Sequence, residues 1–289
     1  MDFDLIRRLT PEEFRKFADL IYSESGIFMK DSKITLLSNR LRRRLQSLEL
    51  ETFAEYYEYI NSQKDRSREI EELLDVVSTN ETYFFRNERH FEALINNCLP
   101  EIAAKKKEKV LRIWSAGCST GEEPYTLAIC VNECLSLFPG WRIEIIASDI
   151  AHSVLDFAKK GCYSGRRIEK VSKTRLERYF DKVPDADGVF KVKSNVSKLV
   201  AFSRINLFKD PFPSNIDIIF CRNVMIYFDN LHQRVLVGNF FRSINKDTGF
   251  FFIGHSETLH AISEDFSYVK IKDAPVYVPT RRLSEYKEN

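Results

Sequence analysis

Several protein classes need features that this 289-residue chain lacks. It has no Gly-x-Gly-x-x-Gly, the turn that lets a backbone approach a pyrophosphate, which argues against a nicotinamide dehydrogenase. Its six cysteines (Cys98, Cys118, Cys130, Cys134, Cys162, Cys221) include no Cys-x-x-Cys and lie mostly in apolar or helical contexts, as reduced cytosolic thiols do. Cys130 and Cys134 share a helical face but have no histidine nearby, so no metal is expected. No apolar run approaches membrane-spanning length, and Met1-Asp2-Phe3-Asp4 has neither the basic nor the apolar part of a signal peptide. A cytoplasmic protein without membrane insertion is expected. A net charge of +2 argues against a dedicated nucleic-acid binder. Internal repeats and low-complexity segments are absent. Glycine is nearly missing from the first 75 residues, where only Gly26 occurs.

What is present centres on Val110 to Ala128. Val110, Leu111, Ile113 and Trp114 form a short β-prone run that reads as a buried strand. The chain then turns through Gly117 and Gly121 with only small residues between. Thr120 is the expected N-cap of a following helix, with Glu123 completing a capping box and Pro124 early in the first turn. Strand, glycine turn and helix start together make the cofactor end of a Rossmann-like unit. Helix N-termini favour anions, but Glu122 and Glu123 at this one would repel a pyrophosphate. They suit a ligand that is cationic or rich in hydroxyls and amines, such as S-adenosylmethionine (SAM). The plainer alternative is that both acids only cap the helix.

Residues 1–77 read as an all-helical domain. Thr10-Pro11-Glu12-Glu13 starts a helix that ends at Gly26, and a second helix over Asp31–Leu48 carries the stripe Ile34, Leu37, Leu41, Leu45, Leu48. Lys33, Arg40 and Arg44 border that stripe, and Arg43 lies just beyond them. They form either a docking face or an ordinary solvated one. Helices around Thr52–Ser62 and Ser67–Val77 complete the bundle. Residues 78–91 interleave Asn80, Thr82 and Arg86 with Tyr83, Phe84 and Phe85, a linker expected to lie across the cofactor cleft or to form interface core.

Residues 92–289 form the α/β domain. Its second strand, Arg142–Ala147, leads to Ser148-Asp149, and an acid there is placed for ribose hydroxyls. The runs Val189–Val192 and Leu199–Phe202 read as a small inserted β-element within about 163–205. Ile216–Phe220 is a buried strand whose carboxyl end aims Asn223 at the site. A helix, a strand and a terminal hairpin over Phe266–Val278 follow.

At this point the motifs match a family. Thr79-Asn80-Glu81-Thr82-Tyr83-Phe84-Phe85-Arg86, Trp114 to Thr126, Ala147-Ser148-Asp149-Ile150, Asn206-Leu207, Phe220 to Asp229 and Gly254-His255-Ser256-Glu257 occur in family order. Through nearly its whole length the chain resembles the chemotaxis receptor methyltransferases, which are protein-glutamate O-methyltransferases. The resemblance implies a helical amino-terminal domain, a Rossmann-like SAM-dependent methyltransferase domain and an inserted β-subdomain. It implies methyl transfer from SAM to glutamate side chains on the cytoplasmic helices of chemoreceptors, with S-adenosylhomocysteine (SAH) as product and a monomeric enzyme.

Carried over by position, the cofactor residues are Asn80, Thr82, Arg86, Glu123, Asp149, Asn206, Leu207, Asn223 and Val224. Asp149 would hold the ribose hydroxyls, and Asn206 and Leu207 would frame the adenine. Arg86 would pair with the methionyl carboxylate or steer the substrate carboxylate. Glu123 ranks ahead of Glu122. Arg86 and Tyr227 are the candidates for lining the methyl-transfer position, with Tyr227 equally readable as core. Lys33, Arg40, Arg43 and Arg44 would dock acidic receptor helices. The five histidines form no His/Asp or Ser/His constellation, in keeping with a reaction that needs no general base. The turn Val183–Gly188 holds only Gly188, fewer glycines than in relatives that grip a receptor's carboxy-terminal peptide, so no dependence on such a tail is expected. The competing readings are a methyltransferase for another protein or a small molecule, and a SAM-binding signalling module without turnover.

Overall fold

A computed structural model describes residues 7–62 and 66–286; residues 1–6, 63–65 and 287–289, with the opening Met1-Asp2-Phe3-Asp4, lie outside the described residues. Four helices come first: α1 (Pro11–Ser25), α2 (Ile34–Leu48), α3 (Phe53–Ser62) and α4 (Arg66–Val77). The start of α1 follows its sequence. Thr10 Oγ1 accepts the Glu13 N–H at 3.2 Å, and the Glu13 carboxylate takes the Thr10 N–H at 2.8 Å. Gly26 ends it at φ 72, a left-handed conformation, against the ring of Phe208. Leu37, Leu41 and Leu45 of α2 bury completely and share a core with Phe14, Phe17, Tyr56 and Leu73. Side chains of this kind each stabilise by roughly 1.5–3 kcal/mol on burial. The bundle therefore has its own hydrophobic centre.

Helices α5 (Glu88–Ala93) and α6 (Leu99–Lys105), joined by a π-turn over Leu94–Cys98, lead into the α/β domain. Its sheet contains β1 (Val110–Ala116) and β2 (Arg142–Asp149), with α7 (Glu122–Glu133) between them and α8 (His152–Lys160) after. A second, antiparallel sheet is built from β3 (Cys162–Ser164), β4 (Phe180–Lys182) and β5 (Val189–Val192), with α9 (Lys173–Tyr179) between β3 and β4 along the chain and α10 (Ser194–Ser197) after β5. The main sheet resumes with β6 (Val200–Arg204), β7 (Ile218–Cys221), helix α11 (Asn230–Ser243), β8 (Phe250–Ile253), and the hairpin β9 (Phe266–Ile271) and β10 (Ala274–Pro279).

The strand order is β6-β2-β1-β7-β8-β10-β9, parallel from β6 through β8. The chain winds outward from β1 through β2 to β6, then returns to the other side of β1. That reversal opens a crevice at the carboxyl ends of β1 and β7, where open α/β sheets bind ligands.

One expectation is corrected here. The run Leu199–Phe202 is not part of the inserted β-element: β6 pairs in parallel with β2, placing Phe202 opposite Ala147. A short apolar run carries no information about which partner it takes, and here the open edge of β2 took it.

The helical domain sits over the carboxyl ends of the strands. Tyr22 Oη donates to Asp229 at 2.6 Å, Asn206 Nδ2 to the Glu24 carbonyl at 2.8 Å, and the Phe28 N–H to the Tyr227 carbonyl at 2.8 Å. Among the described residues no helix is long and apolar enough to cross a membrane.

Candidate active site

The loop leaving β1 is built by its glycines. Gly117 has φ 82, and a Cβ there would stand 2.4 Å from Val224 Cγ2, so only glycine lets the two loops touch. The N–H groups of Gly117 and Cys118 both donate to the Ser148 carbonyl at 2.8 Å, and that of Ser119 to Asp149 at 2.8 Å. These three donors are turned into the sheet end, not outward, so they cradle no phosphate.

The start of α7 departs from the expected capping box. Gly121, at φ 93, is the N-cap, and no side chain caps the helix. Thr120 Oγ1 instead donates to Glu122 at 2.7 Å. Glu123 turns inward, accepting from Ser115 Oγ and from Arg222 Nε, both at 2.7 Å. Glu122 is sealed and ion-paired to Arg167, and burial pushes its carboxyl up from the usual range. The two acids are therefore held by cations from distant segments, which the local sequence did not reveal. Glu123 borders the crevice and Glu122 does not.

That crevice is a cavity of about 580 Å³, within the size range of small-molecule sites. The linker crosses it with Asn80, Thr82 and Arg86. The sheet end gives it Glu123, Asp149, Asn223 and Val224, the segment after β6 gives Asn206 and Leu207, and Tyr227 stands at one side. Lys33 and Arg40 reach it from the helical domain. The predicted cofactor and catalytic residues thus gather around one space.

Asp149 accepts the N–H groups of Ser119 and Ala151 at 2.8 and 3.1 Å, which oppose the upward push that burial gives its carboxyl. The Oδ1 of Asn223 is buried with no hydrogen-bond partner, and the residue sits at φ 59. Arg86 donates to the Glu81 carbonyl at 2.9 Å, bending its own linker. Asn206 is already engaged, since its Oδ1 accepts the Phe208 N–H at 3.0 Å while Nδ2 holds Glu24.

The basic stripe divides. Arg40 lies in the cavity wall, donating to the Val77 carbonyl and to Thr79 Oγ1, and burial lowers its pKa. Arg44 makes a two-pronged ion pair with Glu69, at 2.8 and 2.6 Å, that also involves Tyr56 Oη. Its guanidinium is thus paired within the bundle and only partly exposed. Lys33 and Arg43 remain exposed, and Arg43 lies outside the cavity.

Sequence reasoning missed Arg222, Glu257, Phe28, Leu36 and Ile226. The first two stood inside stretches already singled out by motif. Ile226 stood in the same Phe220 to Asp229 motif as Arg222, but its apolar side chain gave no sign of exposure; Phe28 and Leu36 lie in separate segments and gave no local signal.

The description "CheR methyltransferase, all-alpha domain" matches residues 12–78, and "CheR methyltransferase, SAM binding domain" matches residues 80–274. The chain belongs to the CheR methyltransferase family. A chemotaxis protein methyltransferase of Borreliella burgdorferi is 36% identical over 92% of this chain and 95% of its own. Those of Salmonella typhimurium and Escherichia coli are 36% and 35% identical, each over 90% of this chain and 88% of theirs. This CheR-family protein is a SAM-dependent methyltransferase, with a helical amino-terminal domain and a Rossmann-like domain carrying a small antiparallel sheet. The cavity fits SAM. It offers the unpartnered Asn223 Oδ1 to a donor, a carboxylate to hydroxyls, and no phosphate cradle.

Proposed function

We propose that this enzyme methylates glutamate side chains on the cytoplasmic helices of chemoreceptors, forming glutamate methyl esters, and works as a monomer. The observation that supports this most is the cavity's position. It lies between the strand ends and a helical domain that presents Lys33 and Arg40 at its wall; Phe28 and Leu36 of that domain and Ile226 of the turn after β7 are exposed by 51%, 38% and 51% at its border. Cations suit an acidic partner, and exposed apolar side chains suit a protein surface that closes over them and excludes water.

In this reading Asp149 receives the ribose hydroxyls, and Asn223 Oδ1 accepts from the ammonium of the methionyl part. Leu207 and Val224 pack the adenosyl portion, with Asn80 and Thr82 along the linker side. Asn206 shapes the wall by tying Glu24, not by bonding the adenine. Glu123 acts through Arg222, keeping the β1 and β7 loops in register. SAM supplies a methyl group already activated by its sulfonium. A substrate glutamate is ionised at neutral pH, so no side chain need take a proton. The protein's work is alignment and dehydration: Arg86 orients a carboxylate, Tyr227 borders the reacting position, and the helical domain shuts out water.

The turn over residues 183–188 closes tightly, with the Val183 N–H donating to the Val189 carbonyl at 3.0 Å. We therefore keep the reading that methylation does not require a receptor's carboxy-terminal peptide. Removing that peptide from a cognate receptor should leave the rate unchanged.

The deciding experiment has two steps. Calorimetry with SAH should show binding by the wild type and a loss of tenfold or more in Asp149→Ala, as expected for hydrogen bonds to a charged group at about 1.5–3 kcal/mol. Labelled SAM with a receptor cytoplasmic fragment should then give base-labile label on glutamate. Base-stable label, or label only in small molecules, would overturn the glutamate reading.

A further inference from the structure

Glu257 follows β8 in the stretch Gly254-His255-Ser256-Glu257, and no role described so far uses it. Because β7 and β8 pair with Cys221 opposite Ile253, the loops that leave them are neighbours. The Glu257 carboxylate gathers backbone N–H groups from both. One oxygen takes those of Asn223, at 2.9 Å, and of Gly254; the other takes that of Ile226 at 3.3 Å. Burial pushes this carboxyl up, and the same N–H groups, joined by that of Met225, oppose the push.

What the carboxylate holds is unusual backbone. Asn223 sits at φ 59, in the left-handed region that few non-glycine residues adopt and that asparagine tolerates best. Its side chain lines the cavity with Oδ1 unpartnered. Tyr227 ends the short turn that begins two residues after Asn223. The packing leaves no slack: a Cβ on Gly254 would stand 2.5 Å from Glu257 Oε2 and 2.8 Å from Asn223 N.

We propose that Glu257 is a positioning residue for the cofactor, clamping the β7 loop so that Asn223 presents its Oδ1 to the amino-acid end of SAM. The proposal rests on the assignment of Asn223 to that end. It makes the carboxyl end of β8, which touches no ligand in the reading above, part of the site's precision.

The test is a double-mutant cycle read by SAH titration on the full chain, with thermal unfolding followed in parallel. Glu257→Gln keeps the shape and removes one acceptor. It should weaken SAH binding about tenfold, as should Asn223→Ala, and the double variant should bind no more weakly than Asn223→Ala alone. Additive losses would overturn the proposal, as would unchanged affinity in a folded Glu257→Gln. Gly254→Ala, which pushes the same atoms apart, should reproduce the loss. If both Glu257→Gln and Gly254→Ala fail to fold, Glu257 is a stability element and the proposal falls. Wild-type binding of SAH is the common reference: its absence would contradict SAM as cofactor, whereas its presence beside a silent Glu257→Gln would refute only the role of Glu257.

Discussion

Arg222 Nε donates to the carboxylate of Glu123 at 2.7 Å, and the two side chains are only 2% and 10% exposed. Arg222 also bonds the Arg86 carbonyl and lies over the rings of Phe91 and Phe220 at 5.1 and 5.4 Å. One guanidinium thus joins the linker, the β7 loop and the start of α7. Breaking a buried pair from one side strands a charge, at a cost of about 3–5 kcal/mol. Glu123→Gln should lose stability of that order in urea unfolding, and Glu123→Gln with Arg222→Met should recover much of it. If the double variant is no more stable than the single, the pair is not the stabilising unit.

His90 is packed beside Arg222, 3.4 Å from its guanidinium, and burial together with that charge and His255 lowers its pKa to about 3. In the unfolded chain the ordinary value returns, so the unfolded state binds the proton more tightly. The neutral ring is accommodated without penalty above about pH 6.5, and stability falls as the pH drops from there towards 3. Between about pH 7 and 5.5 this linkage removes about 1 kcal/mol. Urea midpoints at those two values should differ more for the wild type than for His90→Phe. Equal differences would assign the acid sensitivity to other groups.

Asn206 joins the two domains. Its Nδ2 holds the Glu24 carbonyl at the end of α1, and Lys209 pairs with the Glu24 carboxylate at 2.5 Å. Asn206→Ala leaves that carbonyl unpartnered, which should cost about 1–2 kcal/mol in thermal or urea unfolding. Its SAH affinity should change less than that of Asp149→Ala. A larger loss of affinity than in Asp149→Ala would return Asn206 to the adenine.

At the mouth, Ile226→Asp should lower kcat/KM for a receptor fragment about tenfold while leaving SAH affinity intact, since in the proposed reading this exposed side chain meets the receptor. The division of the basic stripe makes a matching distinction. Arg43→Glu should slow methylation and flatten its dependence on salt. Arg44→Ala should instead destabilise the helical domain by uncovering Glu69. Methylation kinetics beside melting curves separate the two.

Most of the architecture was legible in the chain because it depends on short-range patterns. The cap at Thr10, the leucine stripe of α2, the apolar run of β1 and the acid closing β2 each carry their signal within a few residues. The motifs around Asn80, Asp149 and Asn223 likewise marked the segments that meet at the cavity. What misled was the same kind of local evidence where partners lie far away. Thr120 and Glu123 have the spacing of a capping box, yet Arg222, about a hundred positions on, offers Glu123 a buried ion pair that the local turn cannot match.

The sequence by itself therefore determined the order of the main helices and strands, the cofactor chemistry they suit and, through the motifs, many of the polar residues that border the site, because periodicity, turn chemistry and motif order are properties of neighbours along the chain. Only the tertiary structure decided that β6 joins the main sheet, that Arg44 is neutralised while Lys33 and Arg43 stay exposed, and that Glu257 reaches the loop of Asn223. Those outcomes depend on which distant strands and charges come to lie side by side. That is settled by packing the whole chain at once.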